Sequence, residues 1–192
     1  MKTSLVTAPV KLGVTLKEAK QHLRVEIGWT DEDDYIKSLI GAATQQAQQI
    51  TRRKFITQTH DAFLDRWPGC NYIELPFGSL QSVTHVKYTD TDGTLNTVDS
   101  GDYTVDTDSD RGRVVLAYGE SWPTEALAPD NPIEIRFICG YGDDETDIEP
   151  SIRQAMKILL SNWYENREET VIGTITSSID LVKPLLLPFI LW

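Results

Sequence analysis

The chain has 192 residues, and its 18 Lys and Arg stand against 29 Asp and Glu, a net charge of −11. That balance excludes a general nucleic-acid binder and a protein held on an anionic membrane, because both need clustered cations. The hydrophobic fraction of 40% and charged fraction of 24% are those of a folded domain rather than an acidic disordered one, and the length fits one domain or one domain carrying an insertion.

The first segment lacks the apolar run of a signal peptide. Thr15-Leu-Lys-Glu18 then reads as a capping box, in which the Thr15 hydroxyl accepts the Glu18 amide and the Glu18 carboxylate reaches back. Leu16, Ala19 and Leu23 follow on the same helix, and Gly28 lies in the break after it. Thr30-Asp31-Glu32-Asp33 starts a second helix with acids that complement its positive end. Ile36, Leu39, Ile40, Ala43, Ala47 and Ile50 recur at helical spacing, and Arg52, Arg53 and Lys54 close it.

From Phe55 the period changes to two. Strands are expected over Phe55–Trp67, Tyr72–Leu75 and Leu80–Tyr88, the last with Thr84, Val86 and Tyr88 on one face. Asp90-Thr-Asp-Gly93 is a hairpin turn, since Asp-Gly supplies the positive φ a tight hairpin needs. Thr94–Val98, Tyr103–Asp106, Arg113–Tyr118 and Ile133–Cys139 complete a small sandwich or barrel-like sheet. Pro150 restarts a helix whose stripe is Ile152, Ala155, Met156, Leu159, Leu160 and Trp163. Thr170 to Ser178 reads as a linker. Ile179 to Trp192 is strongly apolar and broken by prolines, which favours extended structure.

The expected class is α+β: a small helical bundle, an inserted antiparallel β subdomain and an extended C-terminal tail. The boundaries are 1–54, 55–142, 143–170 and 171–192. Charge changes with them. Residues 1–54 carry 9 basic and 6 acidic side chains, 55–142 carry 5 and 14, and 143–192 carry 4 and 9. The bundle core is read as Leu16, Leu23, Ile36, Leu39, Ile40, Ile152, Leu159 and Trp163.

Little in the sequence supports catalysis. Asp106-Thr-Asp-Ser-Asp110 opens like a calcium-binding loop, but Arg111 stands where glycine is required and Ala117 where glutamate is. Turn chemistry is the plainer reading of Asp90, Asp92, Asp106, Asp108 and Asp110. Asp143, Asp144 and Glu145 precede the helix at Pro150 and suit its dipole. Cys70 and Cys139 read as reduced thiols, and with His22, His60 and His85 scattered they make no zinc site. No cofactor is expected. Trp67 and Trp122, each before a proline, are the residues a ligand platform would use. The tail is costly to leave in water, so it folds back or enters a partner.

The ordered segments Leu16–Val25, Asp33–Ile40, Ile56–Thr59, Ile73–Pro76, Leu80–Val83, Tyr103–Asp106, Phe137–Tyr141, Pro150–Ala155 and Asn162–Glu168 resemble the phage head–tail connector (adaptor) family, in its longer branch with a β insertion. The resemblance covers nearly the whole chain. It implies a non-enzymatic virion protein made in the bacterial host cytoplasm and placed at the head–tail junction. There it would form a ring, typically dodecameric, beneath the portal. The implied partners are the portal protein, a tail-side stopper or terminator, further copies of itself, and genomic DNA passing without sequence-specific binding; no membrane is implied. The tail would reach the portal through Ile179, Leu181, Leu185, Leu186, Leu187, Phe189, Ile190, Leu191 and Trp192, and its deletion is expected to leave a folded subunit. Asp90, Asp92, Asp106, Asp108, Asp110, Asp143, Asp144 and Glu145 are the acids expected to face the lumen or the tail. Two rival readings are a soluble ligand-binding module built on Trp67 and Trp122, and a metal-dependent hydrolase built on the acidic loops.

Overall fold

The computed structural model describes residues 1–167 and 178–192, with the side chains of Ser178 and Ile179 outside that description. The expected linker, Thr170 to Ser178, lies outside the described residues except for Ser178, which begins a helix, and the boundary between 170 and 171 lies outside them too. The chain forms two compact units. One joins Met1–Pro9 to Thr57–Gly140; the other joins Val10–Ile56 to Tyr141–Trp192.

The first unit is built of strands: β1 (Lys2–Thr7), β2 (Gln58–Leu64), β3 (Tyr72–Gly78), β4 (Leu80–Thr89), β5 (Leu95–Thr97), β6 (Tyr103–Asp106), β7 (Arg111–Leu116) and β8 (Ile133–Cys139). They make a five-stranded sheet in the order β1-β2-β8-β4-β5 and a three-stranded sheet in the order β3-β7-β6, with every strand pair antiparallel. Ile133, Ile135, Phe137 and Cys139 alternate inward along β8 and meet Ile73, Leu75 and Val114 of the second sheet in one apolar core. A Cβ on Gly112 would lie 2.3 Å from the Leu80 side chain, so the backbone of β7 comes close there where only glycine fits.

Two details depart from expectation. Lys2–Thr7 is a strand, although residues 1–54 read as helical; five of its six residues are exposed, so it has no burial alternation to signal it. And Thr84 is exposed, while Val86 and Tyr88 are buried. The register shifts between Val83 and His85, which puts one extra residue in β4 and turns Thr84 away from the core face.

The second unit is helical: α1 (Leu16–Leu23), α2 (Asp33–Thr51), α3 (Pro150–Glu165) and α4 (Ser178–Leu186), with 3-10 turns at Glu145–Asp147 and Leu187–Phe189. The Thr15 capping box forms on α1, with the Glu18 amide 3.1 Å from the Thr15 hydroxyl. Ile36, Ile40, Ile152 and Leu159 are buried with Ala43, Ala47, Phe55 and Met156. Leu16, Leu23, Leu39 and Trp163 pack partly buried against them.

The tail corrects an expectation. It is not extended: residues 178–189 form α4 and a 3-10 turn, and Val182 and Leu186 are fully buried in the bundle core. Pro184 removes one amide donor from α4 and crowds the carbonyl of Asp180, a cost that the burial of Val182 and Leu186 offsets. Pro188 stands at the start of the 3-10 turn, where the missing N–H has no internal partner to make. The expectation that deletion leaves the subunit intact falls with it, since deletion would strip core residues.

Candidate assembly surfaces

The tail has an inward and an outward side. Val182, Leu186 and Leu191 are buried, and Leu185, Phe189 and Ile190 are half-buried. The Leu191 amide donates to the Thr51 carbonyl at 3.1 Å, and Arg53 Nε donates to the Phe189 carbonyl at 2.8 Å, which pins the segment to the end of α2. Leu181, Leu187 and Trp192 are exposed. Of the apolar tail residues expected to reach the portal whose side chains are described, then, three face away from the bundle.

The acids divide in the same way. Asp90 accepts the amides of Thr94 (2.9 Å) and Asp92 (3.0 Å) and the Asn96 side chain. These bonds, that of Thr94 first, hold its carboxyl below the usual aspartate range. Asp106 accepts from the Ser109 hydroxyl at 2.7 Å, from Arg113 at 2.6 and 3.0 Å, and from the Ser109 and Asp108 amides, and its carboxyl is driven far down. Both are occupied in shaping hairpins, with Gly93 at a φ of 82° in the first. Asp144 forms a reciprocal cap with Asp147 around the 3-10 turn and an ion pair with Lys11. The helix at Pro150 takes no acid in its first turn; Asp144 instead caps the 3-10 turn ahead of it, where the Glu145 carbonyl accepts the Ile148 amide. Asp92, Asp108, Asp110 and Asp143 are exposed. Among the described residues, no three His, Cys, Asp or Glu side chains converge where an ion would sit.

Trp67 and Trp122 do come together, but on each other. Their rings stack 5.1 Å apart at an interplanar angle of 4°, Trp122 donates from Nε1 to the Cys70 carbonyl, and Tyr88 meets Trp67 edge-on. The stack takes one face of each ring, and Trp122 is buried. A shallow cavity of about 360 Å³ opens beside it, lined by Asp99, Asp102, Ser121 and Glu125.

Three clamps in the helical unit escaped the sequence. Arg153 on α3 bonds Glu18 on α1. Glu32 accepts from the Tyr164 hydroxyl and from Arg167, whose guanidinium lies over the rings of Tyr35 (4.8 Å) and Tyr164 (5.1 Å). Lys20 is buried, pairs with Asp33 and donates to the carbonyls of Ile27 and Trp29. The only sequence signal for Lys20 is a lysine on the apolar side of α1, beside Ala19.

No helix among the described residues is long and apolar enough to cross a membrane. The fold is similar to that of chains in solved particles. The neck of an empty gene transfer agent particle, computed with C6 symmetry, contains a chain at TM-score 0.80 and 23% identity, covering 96% of this chain and 95% of that one. A chain in the virion of the native gene transfer agent particle gives 0.76 and 24%, covering 96% and 95%. One in the neck of the native particle, computed with C12 symmetry, gives 0.75 and 22%, covering 96% and 94%. No curated protein sequence matches. The sequence profile of the phage gp6-like head-tail connector proteins matches residues 14–110, from the start of the first helix through the Asp106 turn, and this chain belongs to that family.

Proposed function

We propose that the chain is a ring-forming subunit at the junction of head and tail in a tailed phage or phage-like particle, seated beneath the portal, extending the DNA channel and joining capsid to tail. The family membership carries this reading. The likeness of fold to chains from necks computed with C6 and C12 symmetry supports the ring. The role is structural rather than enzymatic. The exposed acids proposed to face the lumen or a basic tail-side partner are Asp92, Asp108 and Asp143, because Asp90, Asp106 and Asp144 are engaged in their own turns. A channel edged with such acids would keep passing phosphates from sticking. Portal attachment through the tail falls to the outward side of α4, around Leu181 and Lys183.

The test is the content of purified particles. Quantitative mass spectrometry against the major capsid protein should give the chain at ring stoichiometry, and imaging with labelled antibody should put it at the head–tail junction. Its absence there would overturn the proposal.

A further inference from the structure

The two ends of α2 each expose apolar side chains, and they carry opposite charge. At the N-terminal end, the Lys20 side chain is 3% exposed. A buried ammonium has to replace its water with oxygen partners, and Lys20 takes the Trp29 carbonyl at 2.6 Å, the Ile27 carbonyl at 3.2 Å and the Asp33 carboxylate. The Trp29 amide closes the turn on the Glu26 carbonyl at 3.1 Å. The loop is thus held from inside by its backbone, while the side chains of Ile27 and Trp29 stand 52% and 42% exposed. Glu26, Asp31 and Asp34 are exposed around them, with Asp34 paired to Lys37 and Arg24 also exposed, so the acids outnumber the bases. At the other end, Arg52 closes α2 in a left-handed conformation and is exposed, followed by Arg53 and Lys54. Beside it the tail exposes Leu187 at 50% and Trp192 at 87%. The 19 residues of α2 separate the two ends by about 28 Å at the rise of an α-helix.

We propose that these ends are the two halves of one contact between copies of the chain: Ile27 and Trp29 of one copy seat on Leu187 and Trp192 of the next, with Glu26 and Asp31 facing Arg52. The occupant follows from the charges. A contact of either end with its own kind sets like charges together, whereas acidic end on basic end pairs them. Because the two surfaces differ and lie at opposite ends of the same helix, the contact is head-to-tail, the kind that builds a ring when its rotation closes. Tryptophan is among the residues enriched at the energetic centre of protein contacts. This inference rests on the ring reading above and adds the surface through which the ring is joined.

Cross-linking in purified particles tests it. Chains carrying Ile27→Cys and Leu187→Cys in a Cys70→Ser background, which removes the exposed thiol, should give a ladder of disulfide-linked multimers on oxidation. Trp29→Ala should lower incorporation into particles by about tenfold or more while leaving the thermal unfolding of the free chain nearly unchanged. Ring stoichiometry without a ladder, or full incorporation of Trp29→Ala, overturns this contact and leaves the ring standing. Particles holding the chain at less than ring stoichiometry overturn both.

Discussion

The two units answer their charges at different ranges. In the strand unit, the turn acids find partners a few residues away: Asp90 at Asp92, Thr94 and Asn96, and Asp106 at Asp108, Ser109 and Arg113. In the helical unit three pairs span the chain, beside the nearer Lys20–Asp33 and Lys37–Asp34. Glu18–Arg153 and Glu32–Arg167 are each 135 residues apart, and Lys11–Asp144 is 133. The difference follows from topology. A hairpin brings near neighbours together, so its acids stabilise a local shape. A bundle split by an insertion can be closed only by groups from its two halves. Two pairs in the strand unit also join distant strands: Asp61–Arg136 on β2 and β8, 75 residues apart at 2.8 and 2.9 Å, and His85–Glu134 on β4 and β8, 49 residues apart at 2.9 Å.

The largest expected effect sharpens this contrast at the apolar closure of the bundle. Leu186 is fully buried among residues of the other helices, so Leu186→Ala should cost about 2–5 kcal/mol. The loss should appear in the helical far-ultraviolet signal on urea unfolding. The stacked pair Trp67–Trp122 reports the strand unit through its exciton signal, and that signal should move less. Equal displacement of both would break the description of two units with separate cores. A smaller effect is expected at Asp61. It is 6% exposed and takes both arms of the Arg136 fork, so Asp61→Ala should lose about 1.5–3 kcal/mol, the range for hydrogen bonds to charged groups. Asp106→Ala, by contrast, should confine its damage to the β6–β7 turn, read as faster hydrogen exchange at the amides of Asp108 and Ser109 with little change elsewhere.

The same distinction of range explains what could be read from the sequence. The capping box at Thr15 and Glu18 and the turn from Asp90 to Thr94 are complete within five residues, so their chemistry is written locally. The strand Tyr103–Asp106 and the strand Ile133–Cys139 carry their alternation with them. β1 does not: it is an edge strand held by main-chain pairing to β2, some fifty residues on, and its side chains are mostly in water. The tail misled because Pro184 and Pro188 are local signals against a helix, whereas the burial of Val182 and Leu186 that offsets them is a tertiary effect. The clamps of Lys20, Arg153 and Arg167 were hidden for the same reason, and with them the loop that presents Ile27 and Trp29.

Glu18 belongs to both ranges, since it caps its own helix at Thr15 and receives Arg153 from α3. Partial burial pushes its carboxyl up, but the hydrogen bonds from Arg153 and the Thr15 amide outweigh this and hold it below the 4.5 of a free glutamate. A carboxyl depressed in the folded state contributes stability that is fully present above its unfolded value and is lost as the pH falls through its folded one. Glu18→Gln keeps an acceptor for the Thr15 amide and removes the charge. At pH 7 it should cost about 1 kcal/mol, the scale of a partly exposed ion pair joined to a cap. The gap between wild type and variant, followed by denaturant unfolding from pH 7 to pH 3, should narrow only once the pH passes below the free glutamate value. A gap of constant size across that range would mean that Glu18 acts through shape alone, and that the charge linking α1 to α3 does not help to close the bundle.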